Sequence, residues 1–211
     1  MQSYSVVSKY NNLIQLEVTP GHFATSSSHV NNYIDLTSIK SSIKKARAVA
    51  QAMVSEIETF KEVDTIICMD GTNVIGAFLA RELAKPERFS VNSNKDINVI
   101  TPSQNSNGQL TFRDNVIPTV RGKNVLLVLS TASTGHTVEK SLECIEYYGG
   151  KIAHISALFS GVDTIAGHKI NYIFKPSDIE GYASYEPGDC PLCKQNKKID
   201  GIVSVHGLTH V

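Results

Sequence analysis

Residues 125–137 read Val-Leu-Leu-Val-Leu-Ser-Thr-Ala-Ser-Thr-Gly-His-Thr. The five apolar residues Val125–Leu129 are typical of a fully buried strand in a parallel sheet. A turn of small hydroxyl residues and one glycine follows, and the pattern from Val138 to Tyr148 predicts a helix. Backbone N–H groups converge at such a strand–loop–helix junction, and the helix dipole adds positive potential. The stretch therefore predicts an anion-binding site.

Phosphate is the anion that this loop favours. An ordinary helix cap needs one hydroxyl, whereas residues 130–137 contain five hydroxyl side chains and a glycine that permits close approach. The Gly-x4-Gly-Lys-Ser/Thr spacing of a Walker loop is absent. His136 would add positive charge to a bound phosphate, or is an ordinary surface residue. The predicted phosphate-binding residues are Ser130, Thr131, Ala132, Ser133, Thr134, Gly135, His136 and Thr137.

The composition excludes several classes of protein. The chain has 211 residues, with 20 Lys and Arg against 20 Asp and Glu, and zero net charge argues against a general nucleic-acid binder. No apolar run approaches the ~20 residues of a membrane span, and the N-terminus lacks a signal-peptide pattern. Four cysteines in a chain of this length do not form a disulfide framework. We expect a cytoplasmic globular protein without nucleic-acid or membrane partners.

The remaining pattern alternates helices and strands. Apolar spacing predicts a helix over Ile39–Phe60 and another over Val74–Leu83, while Asp64–Met69 and Ile152–Phe159 are typical of buried strands. This alternation implies an α/β fold with an open, mostly parallel sheet. Ligands of such sheets bind at the carboxyl ends of the strands. The turn at 70–73 and the loop at 130–137 are therefore expected beside one crevice.

Three polar stretches interrupt this pattern. Residues 21–32 are rich in Ser, His and Asn and predict a loop, and residues 176–211 are also loop-rich. Residues 101–115 form a long polar excursion with one hairpin arm at Leu110–Phe112. An excursion of this kind inside a compact domain is either a mobile active-site loop or a disordered segment.

Three motifs in order along the chain resemble orotate phosphoribosyltransferases. Gly21-His-Phe-Ala-Thr-Ser-Ser-Ser-His-Val-Asn-Asn-Tyr-Ile-Asp35 resembles the N-terminal signature of that family. Val125–Thr137 resembles its motif for 5-phosphoribosyl-1-pyrophosphate, and Cys190-Pro-Leu-Cys193-Lys resembles a segment near the end of some bacterial members. The resemblance covers nearly the whole chain. It implies the type I phosphoribosyltransferase fold in a single domain 1–211, with a Rossmann-like core at about 39–175 and a small hood from 1–38 and 176–211.

The resemblance also implies a homodimer, magnesium and a small-molecule phosphate ester or nucleotide as partner. The chain departs from the family motif at its two acidic positions, which are occupied by Leu129 and Ser130. Residues 101–115 carry only Arg113 as a cation and no histidine, whereas the family loop is rich in both. We therefore expect binding of a ribose 5-phosphate or nucleotide phosphate, with transfer weak or lost. The alternative is an active phosphoribosyltransferase of pyrimidine nucleotide synthesis or salvage.

That alternative depends on Asp70. The pyrophosphate loop of the family corresponds in position to Asp70, Gly71, Thr72 and Asn73. Asp70 is the nearest carboxylate that could replace the missing pair, as a ligand of magnesium or of ribose hydroxyls. The simpler interpretation is an Asp-Gly turn in which Thr72 or Asn73 caps the next helix.

Cys190 and Cys193 form a Cys-x-x-Cys pair with three interpretations. One pair is half of a zinc site, which His206 and His210 or a second chain of a dimer would complete. The second interpretation is a reduced structural turn around Pro191. The third, a redox role, lacks a thioredoxin-like pattern around the pair. Cys68 and Cys144 lie in apolar patterns and are expected in the core.

Overall fold

The computed structural model describes residues 2–58, 60–86, 90–105, 109–133, 135–204 and 207–211. The strands are β1 (Tyr4–Val7), β2 (Gln15–Ala24), β3 (His29–Asp35), β4 (Thr65–Cys68), β5 (Asn98–Ile100), β6 (Ser103–Gln104), β7 (Leu110–Thr111), β8 (Asn124–Ala132), β9 (Lys151–Ser160), β10 (Thr164–Ile165), β11 (His168–Phe174), β12 (Ser184–Tyr185), β13 (Gly201–Ser204) and β14 (Gly207–His210). The helices are α1 (Thr37–Ser41), α2 (Ile43–Ser55), α3 (Asn73–Leu83), α4 (His136–Tyr147) and α5 (Pro191–Lys194). Short 3-10 turns lie at Ile117–Thr119, Pro176–Asp178 and Pro187–Asp189.

The central sheet has the order β10-β11-β9-β8-β4-β5. Its pairs are parallel except for the short β10, which runs antiparallel to β11. The predicted α/β fold with a mostly parallel sheet is confirmed. The continuous apolar run of β8 exists because the strand is covered on both faces, and Val125–Leu129 are fully buried. Leu126 and Val128 face a cluster with α2 and α3, while Leu127 and Leu129 face a cluster with α4.

A second sheet is built from the two ends of the chain. Its order is β12-β3-β2-β13-β14, with β1 paired to β2. We call this sheet, with α5 and the turns that join its strands, the hood. The loop predicted over 21–32 is limited to residues 25–28, because β2 continues to Ala24 and β3 begins at His29. The polar residues of β3 concealed the strand, since most of them are only partly buried.

The helices and the polar excursion also differ from expectation. The helix predicted over Ile39–Phe60 is divided, because Ser42 adopts an extended conformation between α1 and α2, and it ends at Ser55. The described part of residues 101–115 contains the antiparallel pair β6–β7, and residues 106–108 lie outside the described residues. No helix among the described residues is long and apolar enough to cross a membrane.

Candidate functional site

The loop between β8 and α4 is shorter than the sequence indicated. The loop was predicted to begin at Ser130, but β8 continues to Ala132, and Thr131 and Ala132 pair with Phe159 and Ser160 of β9. Small residues are compatible with either state, and the neighbouring strand decides in favour of the sheet. The described loop residues are therefore Ser133 and Gly135, because Thr134 lies outside the described residues.

Gly135 occupies the N-cap position of α4 with a φ of 90°, a conformation that side chains rarely adopt. A Cβ atom at Gly135 would lie 2.0 Å from Cδ1 of Ile165. Glycine is therefore required both by the backbone conformation and by the close approach of β10. The N-cap residue has no side chain to cap the helix, and among the described loop hydroxyls neither Ser133 nor Thr137 makes a capping hydrogen bond.

The donors of this loop are available to a ligand. The hydroxyls of Ser133 and Thr137 make no hydrogen bond to another described residue, and Thr137 is exposed in the first turn of α4. Within the described chain, Oγ of Ser130 is buried without a hydrogen-bond partner. The first N–H groups of a helix have no partner within the helix, and none of the side chains described around α4 supplies a cap. The arrangement can bind an anion.

His136 adds less positive potential to the loop than its position in the sequence indicated. Its side chain is exposed, and Nδ1 lies 3.4 Å from Oε2 of Glu139. An acidic neighbour in the same turn offsets part of the positive potential that a protonated His136 would add. The loop therefore depends mainly on uncharged donors and on the helix terminus.

The turn after β4 is held against β8 by Thr72. Its Oγ1 donates hydrogen bonds to the carbonyl oxygens of Met69 at 2.8 Å and Val128 at 3.2 Å. Thr72 stands at the N-cap position of α3, but no side chain caps this helix either. Thr72 therefore takes the predicted N-cap position, but its side chain does not cap an N–H group of the helix. Asn73 Nδ2 instead donates to Oγ1 of Thr101 at 2.8 Å, and Gly71 has a φ of 77°.

Asp70 lies in this turn with a φ of 52° and faces β8. Burial raises the pKa of its carboxyl group, while the ammonium of Lys40 and a hydrogen bond from the backbone N–H of Ser130 oppose the rise. The structure therefore brings Asp70 to Ser130, one of the two positions where the family has acidic residues.

Lys40 is the residue of this site that the sequence did not indicate. It lies in α1, and its Nζ donates a hydrogen bond of 2.9 Å to the carbonyl oxygen of Asp70. Burial lowers the pKa of Lys40, and the charges of Asp70 and Asp35 oppose that shift. Lys40 and Asp70 are 30 positions apart in the sequence, and no local pattern marked their contact.

Magnesium fits the described residues poorly. Mg²⁺ prefers octahedral oxygen ligands and is held in proteins by one or two carboxylates together with substrate phosphates. Here Asp70 supplies one carboxyl beside the ammonium of Lys40, and Leu129 is fully buried in an apolar cluster. This donor set therefore does not fit a resident magnesium ion.

Cys190 and Cys193 lie in a different place from this site, within the hood. Their sulfur atoms meet the imidazole rings of His22 and His29, and the four ligand atoms lie within 4.8 Å of one another. The two histidines that were expected to complete a zinc set are not among them. His210 is exposed in β14 and is not part of the group, and His206 lies outside the described residues.

Comparison with known proteins identifies relatives of most of the chain. A family model described as phosphoribosyl transferase domain matches residues 35–179. The orotate phosphoribosyltransferase of Chlorobium phaeobacteroides is 27% identical over 191 residues, which cover 85% of this chain and 86% of the relative. That of Wolinella succinogenes is 26% identical over 192 residues, which cover 84% of this chain and 87% of the relative.

Solved structures share the fold. The orotate phosphoribosyltransferase of Mycobacterium tuberculosis H37Rv in complex with Fe(III) dicitrate has a TM-score of 0.53 at 15% identity, over 77% of this chain and 91% of that chain. Its complex with 5-phospho-alpha-D-ribosyl 1-diphosphate has a TM-score of 0.52 at 12% identity, over 69% and 82%. The family model spans the central sheet and leaves nearly all of the hood outside its range.

Proposed function

The chain belongs to the phosphoribosyltransferase family and is similar to its orotate-specific members, and from this premise we propose that it binds a ribose 5-phosphate ester or a nucleotide phosphate at residues 133–137. The observation that carries the proposal is the uncapped N-terminus of α4 at Gly135. The hydroxyls of Ser133 and Thr137 stand beside it without partners among the described residues. Uncapped helix donors with a positive dipole end suit a phosphate group.

We further propose that transfer of the ribose phosphate to a base is weak or lost. Glycosyl transfer develops positive charge on the ribose, and carboxylates placed beside that charge lower the barrier. At the two acidic positions of the family motif this chain has Leu129, which is fully buried in an apolar cluster, and Ser130. Neither side chain carries charge. The loss of two such groups corresponds to several kcal/mol of transition-state stabilisation.

A second candidate function is an active phosphoribosyltransferase of pyrimidine nucleotide metabolism that uses Asp70 as its acidic group. The contact between the Asp70 carboxyl and the backbone N–H of Ser130 favours it, because it brings one carboxylate to the position of the missing pair. The two functions share the phosphate site and differ only in the chemistry beside it.

A pyrophosphate-release assay with 5-phosphoribosyl-1-pyrophosphate, orotate and magnesium distinguishes them. The proposed function predicts little or no release, together with measurable binding of nucleoside monophosphates in a calorimetric titration. Turnover in the ordinary enzymatic range of ~1–1000 per second would establish the second candidate, and Asp70→Asn should then abolish it. Repeating the titration with and without magnesium tests whether the ion enters with the ligand.

We propose that the protein is a homodimer that pairs through α2 and α3. Apolar side chains there are exposed, with Ile43 at 70% and Val74 at 37%. They border a groove of about 440 Å³ that Ala77, Phe78 and Arg81 also line. Exposed contiguous apolar surface is typical of interaction sites. Light scattering should give twice the chain mass, and Ile43→Asp should give monomers. Ile202→Asp, at an exposed hood residue, is the matched control.

A further inference from the structure

The hood contains four metal-ligand side chains that converge on one point. His22 belongs to β2 and His29 to β3, whereas Cys190 and Cys193 flank the start of α5. The histidines and cysteines are up to 171 residues apart in sequence. None of the four lies within residues 35–179, where the family model matches. The cluster is therefore a feature of this chain's hood, separate from the phosphate site.

Four of the six distances between ligand atoms match the edges of a coordination tetrahedron, and all six are within 4.8 Å. Nε2 of His22 lies 3.5 Å from Sγ of Cys190 and 3.6 Å from Sγ of Cys193. Nδ1 of His29 lies 3.3 Å from Sγ of Cys193 and 3.2 Å from Nε2 of His22. With Zn–S bonds of about 2.3 Å and Zn–N bonds of about 2.0–2.1 Å, a tetrahedral zinc ion holds sulfur and nitrogen about 3.6 Å apart and two nitrogens about 3.3 Å apart.

The hydrogen bonds of His22 fix the orientation and the tautomer of its ring in a way that suits metal coordination. Nδ1 of His22 lies 2.9 Å from the carbonyl oxygen of Lys197 and 3.2 Å from that of Lys198. Both partners are acceptors, so Nδ1 carries the proton and Nε2 presents its lone pair to the cluster. Metal-binding histidines usually donate their second N–H in this way, which fixes the ring and its tautomer.

The backbone around His22 is fastened to the C-terminal segment. The N–H of His22 donates to Oδ2 of Asp200 at 2.7 Å, and the N–H of Asp200 donates to the carbonyl of His22 at 2.7 Å. The pairing of β2 with β3 shifts its register between Pro20 and Phe23, and His22 lies within this irregularity. Local β irregularities re-aim side chains, and here the side chain is fully buried in the hood.

Burial and charge also suit a divalent ion. His22 and Cys190 are fully buried, and His29 and Cys193 are partly buried. Two thiolates and two neutral imidazoles balance the charge of Zn²⁺, so the loaded cluster carries no net charge into the interior. Four protein ligands of the Cys₂His₂ type fill the tetrahedron, which is typical of structural zinc and leaves no position for a substrate.

We infer that His22, His29, Cys190 and Cys193 bind one structural zinc ion per chain, which clamps the β2–β3 hairpin to the C-terminal segment of the hood. A metal that binds the native fold and not the unfolded chain stabilises the fold. The site therefore joins the N-terminal and C-terminal parts of the hood. The two chains of a dimer do not need to share the ion.

Metal analysis and Co²⁺ substitution of the full chain, purified without chelators under reducing conditions, test this inference. We expect about one zinc per chain and, after exchange for Co²⁺, the visible bands and thiolate charge-transfer absorption of a tetrahedral site. Removal of the metal should lower the unfolding temperature. Wild-type protein that neither contains zinc nor gives a tetrahedral Co²⁺ spectrum, or that contains a Cys190–Cys193 disulfide, would overturn the inference.

Two variants at partly buried ligands assign the site. His29→Gln and Cys193→Ser should each reduce zinc affinity about tenfold or more, and Cys193→Ser should also weaken the charge-transfer band. His210→Gln is the matched control, because His210 lies in the same hood outside the cluster; it should retain zinc. Equal zinc loss in His29→Gln and His210→Gln would contradict the assignment. If the ligand variants do not fold, the wild-type Co²⁺ spectrum decides.

Discussion

The backbone N–H of Ser130 lowers the pKa of the Asp70 carboxyl group, against the larger raising effect of burial. The two residues lie at the adjacent carboxyl ends of β4 and β8, which Thr72 also joins. Ser130 stands where related transferases have an acidic residue, and Asp70 reaches it from the neighbouring strand. Any acidic chemistry in this part of the site therefore depends on Asp70, while the phosphate loop beyond it is independent of that carboxyl.

The hydroxyls of the loop should contribute directly to phosphate binding. We expect Ser133→Ala combined with Thr137→Val to weaken binding of ribose 5-phosphate by about 10–100-fold or more, because a hydrogen bond to a charged group contributes about 1.5–3 kcal/mol. Calorimetric titration measures the change. Thr209→Val, at an exposed residue of β14, should leave binding unchanged. Full affinity in the double variant would exclude these hydroxyls as ligands. Gly135 is a poor test position, because any side chain there meets Ile165.

Asp70→Asn should stabilise the protein at neutral pH. Burial raises the pKa of Asp70 above the unfolded value, so the native state binds the proton more tightly. Stability then falls as the pH rises from the unfolded pKa to the folded pKa, and the cost persists at neutral pH. The asparagine variant lacks this cost, and asparagine tolerates the positive φ. Thermal unfolding should show a higher midpoint, by about 2–4 °C for each kcal/mol gained. A lower midpoint at pH 7 would contradict this account.

Lys40→Met should raise the pKa of Asp70 further. The ammonium of Lys40 now favours the ionised carboxylate, and its removal leaves burial opposed only by the N–H of Ser130. An NMR titration of the Asp70 side-chain carbon measures the shift directly. Lys45→Met, at a lysine of α2 whose Nζ donates to Ser38, is the control and should not move it. An unchanged or lower pKa in Lys40→Met would show that the two groups do not interact.

Restoring one acidic residue of the family motif should fail at Leu129. The side chain is fully buried between β8 and α4, and Leu129→Asp would place an unpaired charge in this cluster. We expect a loss of about 3 kcal/mol or more in the free energy of unfolding and no gain in pyrophosphate release. Leu129→Met keeps the volume and should cost less than about 1.5 kcal/mol. Denaturant unfolding compares the two; similar stability would show that Leu129 is not closely packed.

The sequence predicted the central sheet because its strands are apolar on both faces. All five residues of Val125–Leu129 are apolar, and this run alone predicted the burial that the structure shows. The hood was less predictable, because His29–Asp35 alternates partly buried polar residues and resembles a loop in composition. The end of β8 was missed for another reason. Pairing of Thr131 with Phe159 extends the strand, and such a tertiary effect leaves no local signal.

The candidate sites also divide into features with a local sequence signal and features that depend on tertiary contacts. The loop before α4 could be located because its hydroxyls and glycine are contiguous, and phosphate binding there stays a prediction. The contact of Lys40 with Asp70 joins two elements whose packing is not encoded locally. The cysteine pair was visible in the sequence as half of a candidate metal site. Its histidine partners were sought nearby at His206 and His210, but the hood topology supplies His22 and His29 from the opposite end of the chain.

Titration of the full chain with ribose 5-phosphate, compared with unphosphorylated ribose, tests the central claim most directly. The ester should bind because its phosphate oxygens accept hydrogen bonds from the N–H groups at the N-terminus of α4 and from the hydroxyls of Ser133 and Thr137. Ribose, which lacks the phosphate, should show no measurable binding. Failure of the ester to bind, or equal binding of the ester and ribose, would contradict a phosphate site at residues 133–137.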